Sequence, residues 1–230
     1  MCMGLFYKCR HIAAALVLAM AATAPAPSQA PQCLKIGVLP LLAGGEQVQA
    51  FGQAIFATAG QCVEFIVAPV RRAEALTLSG KLDGELLRTT VWAKKFQDKV
   101  IYVPTPLYGD DVMAVSLTLR GYDFKALEDL KGHRVLITGG NRWAEAKLAS
   151  MDIEPVKAYT TERYLELIRL ERADVGLTEK SGLGPVANLP DLTFQRVGFV
   201  TYHIVLRHEH RALVPLLDRA VRAALAARER

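Results

Sequence analysis

Short apolar runs alternate with longer amphipathic segments along most of this chain. Runs such as LKIGV and VEFIV are typical of strands buried on both faces. The pattern predicts strands at Leu34–Leu39, Val63–Val67, Leu82–Leu87, Val100–Val103, Arg134–Thr138, Val156–Tyr159 and Asp174–Leu177. It predicts helices at Glu46–Ala59, Arg71–Leu78, Asp123–Leu130, Arg142–Met151 and Glu162–Glu171. This alternation predicts an α/β fold with mostly parallel sheets flanked by helices.

Two longer extended runs, Asp111–Leu119 and Val197–Leu206, bracket the middle of the chain, and the pattern restarts beyond Gly121. We therefore expect two lobes joined by two extended crossings. Residues 31–119 and 197–230 would form the first lobe, and residues 120–196 the second. The last helix has one apolar face and would pack on the first lobe. A single doubly wound sheet is the competing layout.

The N-terminus has the pattern of a secretory signal peptide, residues 1–30. Lys8 and Arg10 precede the alanine- and leucine-rich run Ile12–Ala22, which is followed by small residues and prolines. The run is shorter than the roughly twenty residues of a membrane span. Cleavage is expected after Ala21 or Ala30, giving a periplasmic protein, and an ordinary N-terminal helix is the alternative.

Removal of this leader leaves two cysteines, Cys33 and Cys62. They precede or open the first two predicted strands, so parallel pairing of those strands brings them to neighbouring positions. An exported protein keeps its disulfides. We expect a Cys33–Cys62 disulfide, with two buried free thiols as the alternative. No apolar lipobox precedes Cys33, so a lipid anchor is not expected.

The formal charge of +5 is spread over mixed acidic and basic residues. There is no basic stripe with interleaved aromatic residues, so nucleic acid is not expected as a partner. The arginines near the C-terminus suit the negative end of the last helix. The chain has no P-loop, no nucleophile elbow and no Cys/His cluster with metal-ligand spacing. We expect no metal and no cofactor.

One segment, LEDLKGHRVLITGGNRWAEAKL, combines a buried strand, a turn and a helix. Asn141 is a candidate N-cap, and Glu145 favours the positive end of the helix. Gly139 and Gly140 let the backbone approach a ligand closely. The free amides of such a turn can hold a carboxylate or a phosphate. A tight turn without a ligand is the alternative.

Five loosely defined sequence features follow one another along the chain: the signal peptide, LKIGV at 34–38, LDGELLR at 82–88, LEDLKG at 127–132 and RADVGL at 172–177. In this order and spacing the whole mature chain resembles bacterial periplasmic solute-binding proteins. It is most similar to the type II, amino-acid-binding family of ABC importers. The resemblance implies a two-lobed fold, a small-molecule ligand and a monomer. An ABC permease or a membrane sensor is the implied partner.

The resemblance also implies a set of ligand residues: Arg88, Thr89, Thr90, Thr138, Gly139, Gly140, Asn141 and Glu179. An arginine holds a carboxylate with a rigid fork of donors, and Glu179 would hold the ammonium of an amino acid. Arg88 can instead be a surface salt-bridge partner, Glu179 a helix-start residue, and Arg142 and Trp143 ordinary surface and packing residues.

The chain departs from amino-acid binders in the loop Pro40–Gly45, which is apolar and glycine-rich where such proteins usually place an aromatic or acidic residue. Tyr108 or Trp92 is the candidate for the missing stacking wall, that is, the aromatic side chain on which the ligand would stack.

Three functions remain open at this stage. The first is non-enzymatic binding of a carboxylated, amino-acid-like solute for an importer or sensor. The second is a periplasmic lyase for a carboxylated substrate, with His133, His203, Glu179 and Glu85 as candidate acids or bases. The third is a ligand-free interaction protein on the same fold. His203 lies in an apolar run, which favours a hydrogen-bonded core histidine.

The leader generates the first testable prediction. We expect the periplasmic form of the protein to begin after Ala21 or after Ala30, because signal peptidase cleaves behind small residues. Intact-mass spectrometry of a periplasmic extract measures this directly. A periplasmic protein that still carries Met1–Ala30 would contradict the prediction.

Overall fold

The computed structural model describes residues 33–38 and 46–228. The predicted signal peptide and the loop Pro40–Gly45 lie outside the described residues. The described ranges contain the strands β1 (Leu34–Val38), β2 (Val63–Val67), β3 (Gly84–Thr89), β4 (Val100–Tyr102), β5 (Tyr108–Leu117), β6 (Val135–Thr138), β7 (Val156–Ala158), β8 (Val175–Glu179) and β9 (Leu192–Arg207). They also contain the helices α1 (Glu46–Thr58), α2 (Val70–Leu78), α3 (Thr90–Lys95), α4 (Arg142–Ala149), α5 (Thr161–Arg169) and α6 (Val214–Arg228). None of the described helices has the length and apolar character needed to cross a membrane.

The strands are hydrogen-bonded in the order β2-β1-β3-β9-β5-β8-β6-β7, and β4 also pairs with β9. We call β1–β4 the first half of the sheet and β6–β8 the second half. Pairing is parallel within β2-β1-β3 and within β7-β6-β8. The long strands β5 and β9 pair antiparallel with each other and with the strands beside them. Each half thus contains a small parallel sheet of three strands, as the alternating pattern predicts.

The 16-residue strand β9 connects the first half to the second through β5. Its residues up to Tyr202 pair with β5, and those from Tyr202 onward pair with β3 and β4. The 10-residue strand β5 pairs with β8 of the second half. These two strands are the extended crossings predicted from the sequence. A single doubly wound sheet does not describe this arrangement, because two separate parallel groups are linked only through an antiparallel pair.

Buried apolar side chains form separate clusters on the two halves. Ile36, Phe56 and Leu217 join β1, α1 and α6 on the first half, and Ile137 and Leu148 join β6 and α4 on the second. Full burial of a side chain of this size contributes about 1.5–3 kcal/mol. The last helix therefore packs on the first half through its apolar face, as expected.

The predicted helix at Asp123–Leu130 is wrong. The segment is irregular until a short 3₁₀ helix at Leu127–Leu130. The Asp129 carboxylate accepts hydrogen bonds from the amides of Lys125 at 2.7 Å and Ala126 at 2.9 Å. An aspartate that binds the backbone in this way offers it an alternative to helical hydrogen bonding.

Helix α3 is absent from the prediction. Its N-cap is Thr89, whose side-chain oxygen accepts from the Trp92 amide at 3.5 Å, and Lys94 and Lys95 lie in its last turn. Both features are sequence signals for a helix. The prediction missed these helix signals because the β-branched Val91 and the aromatic Trp92 favour strands.

The structure contains the Cys33–Cys62 disulfide, with a Cα–Cα distance of 4.5 Å across a sequence separation of 29 residues. β1 and β2 pair in parallel with Leu34 opposite Val63, so the two cysteines lie side by side just before these strands. The Leu34 amide also donates to the Cys62 carbonyl at 2.9 Å. The expected bridge is confirmed, and the free-thiol alternative is wrong.

We predict that loss of this bridge in a Cys33→Ser/Cys62→Ser variant lowers the free energy of unfolding by roughly 3–4 kcal/mol. The chain-entropy model gives this value for a loop of this length. Urea denaturation of the oxidised protein and of the double variant measures the difference. The control is dithiothreitol, which should weaken the oxidised protein and leave the variant unchanged. Equal midpoints for all samples would contradict the prediction.

Candidate functional site

The turn between β6 and α4 has the predicted form. The Asn141 side chain caps α4, with Oδ1 accepting from the Ala144 amide at 3.0 Å. The amides of Arg142 and Trp143 come earlier in the first turn, where a helix provides no acceptor. These amides are therefore the groups of this helix start that an anion can use. Thr138 at the end of β6 is exposed to solvent.

The two glycines of the turn differ in what a side chain would meet at each position. Gly140 has a φ of +94°, which disfavours any residue with a side chain. A Cβ on Gly139 would overlap the ring of Tyr159, and the Gly139 amide donates to the Ala158 carbonyl at 2.7 Å. Gly140 thus has a structural role whether or not a ligand binds, whereas Tyr159 is 69% exposed and its ring has room to move away from a side chain at position 139.

Glu179, at the end of β8, lies beside this turn. Its Oε1 accepts from Asn141 Nδ2 at 3.0 Å and from the Tyr202 hydroxyl at 3.1 Å. A short 3₁₀ helix begins at Lys180, and the Glu179 side chain makes no capping bond to it. The alternative of a helix-start residue therefore does not account for the position of this carboxylate.

Tyr202 is a site residue that the sequence analysis missed. It pairs with Thr89 of β3 on one side and with Tyr108 of β5 on the other. Its ring stacks on Tyr108 with centroids 6.1 Å apart, and Tyr108 is 46% exposed. Burial, and then the Glu179 carboxylate, raise the pKa of Tyr202, so its hydroxyl stays protonated and donates. An aromatic residue in a long extended run was the only signal for it.

Arg88 forms a buried ion pair within the first half. Its Nε donates to Glu85 Oε2 at 2.6 Å and its Nη2 to the Val70 carbonyl at 2.9 Å. The guanidinium also lies over the Trp92 ring, 4.7 Å from its centroid. The sequence offered a surface salt bridge as the alternative, but the side-chain exposures are only 7% for Arg88 and 3% for Glu85.

These contacts direct the Arg88 guanidinium to Glu85, Val70 and Trp92, and none of them involves the Gly139–Asn141 turn. Thr89 and Thr90 continue the chain from there into α3. The structure therefore brings together Thr89, Tyr202, Glu179 and Asn141, whereas Arg88 belongs to a neighbouring cluster. The ligand roles of all these residues stay predictions.

A second contact links the halves next to the turn. Arg142, the first residue of α4, donates through Nη2 to Glu74 Oε1 of α2 at 3.3 Å, and through Nη1 to Glu145 at 3.3 Å. Trp92 Nε1 donates to the other oxygen of Glu74 at 2.7 Å. Trp92 is 1% exposed, so it cannot be the predicted stacking wall. Trp143 is buried in the second half, as a packing residue would be.

The candidate catalytic histidines lie in hydrogen-bonded or aromatic surroundings. His203 is buried, with Nδ1 2.9 Å from the Val103 carbonyl and Nε2 3.1 Å from Thr201 Oγ1. This is the core histidine that its apolar run predicts. His133 makes edge contacts to the rings of Tyr122 and Phe124.

One group among the described residues has the composition of a metal site. Ligand atoms of Asp83, Glu209 and His210 lie within 4.8 Å of one another. His210 Nε2 is 2.8 Å from Asp83 Oδ1, and Glu209 is 2.8 Å from Arg207 Nη1. Arg207 already supplies a counter-charge for Glu209, and Asp83 is hydrogen-bonded to His210, so we interpret the group as an ion-pair and hydrogen-bond cluster.

Comparison with solved structures identifies the fold. The ligand-binding core of GluR0 in complex with L-glutamate has a TM-score of 0.67 at 15% identity, covering 86% of this chain and 94% of that one. Holo ArgBP from T. maritima has a TM-score of 0.62 at 18% identity, covering 83% and 89%. A histidine kinase sensor domain with similarity to periplasmic binding proteins has a TM-score of 0.64 at 17% identity, covering 86% and 92%.

The chain has the type II periplasmic-binding-protein fold. No protein-family model matches the sequence, and no curated protein is similar to it. At these identities the likeness concerns the fold alone. In a periplasmic-binding-protein fold the two halves of the sheet are lobes, and we propose the lobe boundaries of the sequence analysis: 31–119 with 197–230, and 120–196.

We predict that Glu85→Gln lowers the free energy of unfolding by about 3–5 kcal/mol, because it leaves the Arg88 guanidinium buried without a counter-charge. Burial raises the pKa of Glu85 above its usual range, and the nearby Arg88 opposes that shift without cancelling it. Urea denaturation is the measurement. The matched control is Glu166→Gln, which breaks an exposed pair with Arg163 and should cost at most about 1 kcal/mol. Similar losses in both variants would contradict the prediction.

Proposed function

We propose that this protein binds a small carboxylated polar solute of amino-acid type in the cleft between its lobes. The observation that carries the proposal is the chain of contacts from the α4 turn through Asn141 to Glu179 and Tyr202. Helix-start amides suit the solute carboxylate, and the Glu179 carboxylate beside them suits its ammonium. Thr89, Thr90, Thr138, Gly139 and Gly140 line the same turn and strand ends in this proposal.

The proposed site has both kinds of group that a zwitterion requires, hydrogen-bond donors for its carboxylate and an acceptor for its ammonium. A carboxylate that leaves water needs replacement donors, and an ammonium needs an acceptor that is already oriented. Asn141 and Tyr202 both donate to one oxygen of Glu179, which fixes the carboxylate before any ligand arrives. Because Asn141 belongs to the second half and Tyr202 lies where β9 joins the first, a ligand at this point contacts both.

We further propose that the protein acts outside the cytoplasm and delivers its solute to an ABC importer or presents it to a membrane sensor. The leader, with its basic, apolar and small-residue order, supports export. The fold neighbours support both destinations, since they include an amino acid ABC transporter substrate-binding protein from Streptococcus pneumoniae and the sensor domain described above. We propose a monomer with no enzymatic activity.

The experiment is a thermal-shift screen of the exported protein against amino acids and small carboxylates, followed by calorimetry of each hit. Binding to the folded state raises the melting temperature in proportion to the logarithm of ligand excess. We expect at least one amino-acid-like solute to bind. A panel in which no carboxylated solute raises the melting temperature would contradict the proposal.

For a solute found in this way, we predict that Glu179→Gln lowers affinity about 10- to 100-fold, the usual value of a hydrogen bond to a charged group. The glutamine oxygen can still accept from Asn141 and Tyr202, so the change removes charge and keeps shape. A des-amino analogue of the solute should bind both proteins equally. Calorimetry measures both ligands, and Glu166→Gln is the control.

The same titrations test the role of Arg88. If Arg88 also contacts the solute, Arg88→Ala should cost roughly 2–5 kcal/mol of binding. Circular dichroism must first show that this variant is folded, because Arg88 is the partner of the buried Glu85. Unchanged affinity in folded Arg88→Ala would limit Arg88 to its ion pair. Unchanged affinity in Glu179→Gln would remove the proposed ammonium site.

A further inference from the structure

Glu74 of α2 is held by a donor from each half of the protein. Trp92 Nε1, from the first half, donates to Oε2 at 2.7 Å, and Arg142 Nη2, from the second half, donates to Oε1 at 3.3 Å. This is how a ligand carboxylate is held when two lobes close on it. Here the carboxylate belongs to the protein itself.

The two arginines near the cleft differ in how firmly they are paired. Arg88 and Glu85 are 2.6 Å apart with side-chain exposures of 7% and 3%. Arg142 lies 3.3 Å from Glu74, with exposures of 29% and 14%, and 3.3 Å from Glu145. Charge-assisted hydrogen bonds are usually about 2.7–2.9 Å long. The Arg142 guanidinium is therefore shared loosely between two carboxylates and is accessible to solvent.

Charge balance makes Glu74 the exchangeable partner of Arg142. Lys157 Nζ lies 2.8 Å from Glu145 Oε1, so Glu145 has a cation of its own. Burial raises the pKa of Glu145, but Lys157 and Arg142 outweigh it and hold that pKa below its usual range. Without Glu74, one uncompensated positive charge would remain at the start of α4, directly after Asn141.

We propose that Arg142 is the carboxylate anchor of the solute site and that Glu74 is an internal competitor that fills the anchor while no solute is bound. The inference rests on the proposed function and names the residue that receives the carboxylate. Arg142 follows the turn whose amides and Asn141 side chain lie beside Glu179. A solute carboxylate that pairs with Arg142 releases Glu74, and the binding energy is reduced by the contact that it replaces.

The test uses acetate as the probe, because Glu74→Ala removes the atoms of an acetate ion from the side chain. Melting temperatures are measured in about 100 mM sodium acetate and in the same concentration of sodium chloride. For a dissociation constant on the order of 10 mM, acetate raises the ratio of folded to unfolded Glu74→Ala about tenfold, a shift of roughly 3–6 °C. In the wild type, Glu74 weakens acetate binding by a factor of roughly five, so the same acetate concentration should raise the melting temperature by only about 1–3 °C, about half of the shift in the variant.

Three further variants make the result specific. Glu74→Ala/Arg142→Met should lose the acetate shift, because the anchor is gone. Glu166→Ala exposes Arg163 on the surface of α5 and should show no shift, which controls for any unpaired arginine. Glu74→Gln keeps an acceptor for Trp92 without the charge, and it replaces Glu74→Ala if that variant does not fold. No acetate shift in the folded variants, or a shift that survives loss of Arg142, would overturn the inference.

The acetate measurement needs no knowledge of the solute, so the two proposals fail separately. An acetate shift without any hit in the solute screen would support the anchor and contradict amino-acid binding. A solute hit without an acetate shift would support solute binding and exclude Arg142 as the anchor.

Discussion

The backbone pairing of one strand, Leu192–Arg207, holds the two halves of this protein together. Up to Tyr202 the strand pairs with β5, and beyond it with β3 and β4. Because its peptide groups are hydrogen-bonded to β3 and β4 at one end and to β5 at the other, the position where it changes partners is fixed by the sheet itself. Tyr202 occupies that position. Its hydroxyl therefore reaches Glu179 from a rigid base, which favours a preorganised site over one built on loops.

Charge pairing distinguishes the polar groups near the α4 turn that have a buried counter-charge from those that do not. Glu85 and Arg88 are buried together, and separating them would strand a charge in an apolar environment. Glu179 is oriented by two neutral donors, so its charge is not cancelled by a cation at those contacts. Arg142 has carboxylate partners at longer distances and higher exposure. An acceptor for an ammonium and a donor for a carboxylate are thus both present next to the α4 turn.

The sequence predicted the elements well where one physical signal dominated. Hydrophobic periodicity identified the strands of both halves and the last helix, and the leader together with the cysteine count identified the Cys33–Cys62 pairing. The prediction was wrong where a side chain changed the local backbone hydrogen bonding. In the segment before Leu127, the Asp129 carboxylate accepts hydrogen bonds from two backbone amides, and the predicted helix does not form. The site was harder, because the contact of Tyr202 with Glu179 joins residues brought together only by strand register. Arg88 illustrates the same limit, since its pairing with Glu85 depends on an irregular register between β3 and β9.

The strengths of the two arginine pairs decide which arginine can serve a ligand. Breaking a buried pair such as Glu85–Arg88 costs about 3–5 kcal/mol, which would weaken a competing ligand by roughly two to four orders of magnitude. A partly exposed pair such as Glu74–Arg142 is worth about 1 kcal/mol or less, a factor of roughly five. One charge-assisted hydrogen bond from a solute carboxylate can offset the loss of the Glu74–Arg142 pair, but it cannot easily offset the loss of the Glu85–Arg88 pair. Glu74 can therefore pair with Arg142 in the absence of solute and be displaced by a solute carboxylate. Displacing Glu85 from Arg88 would instead destabilise the first half.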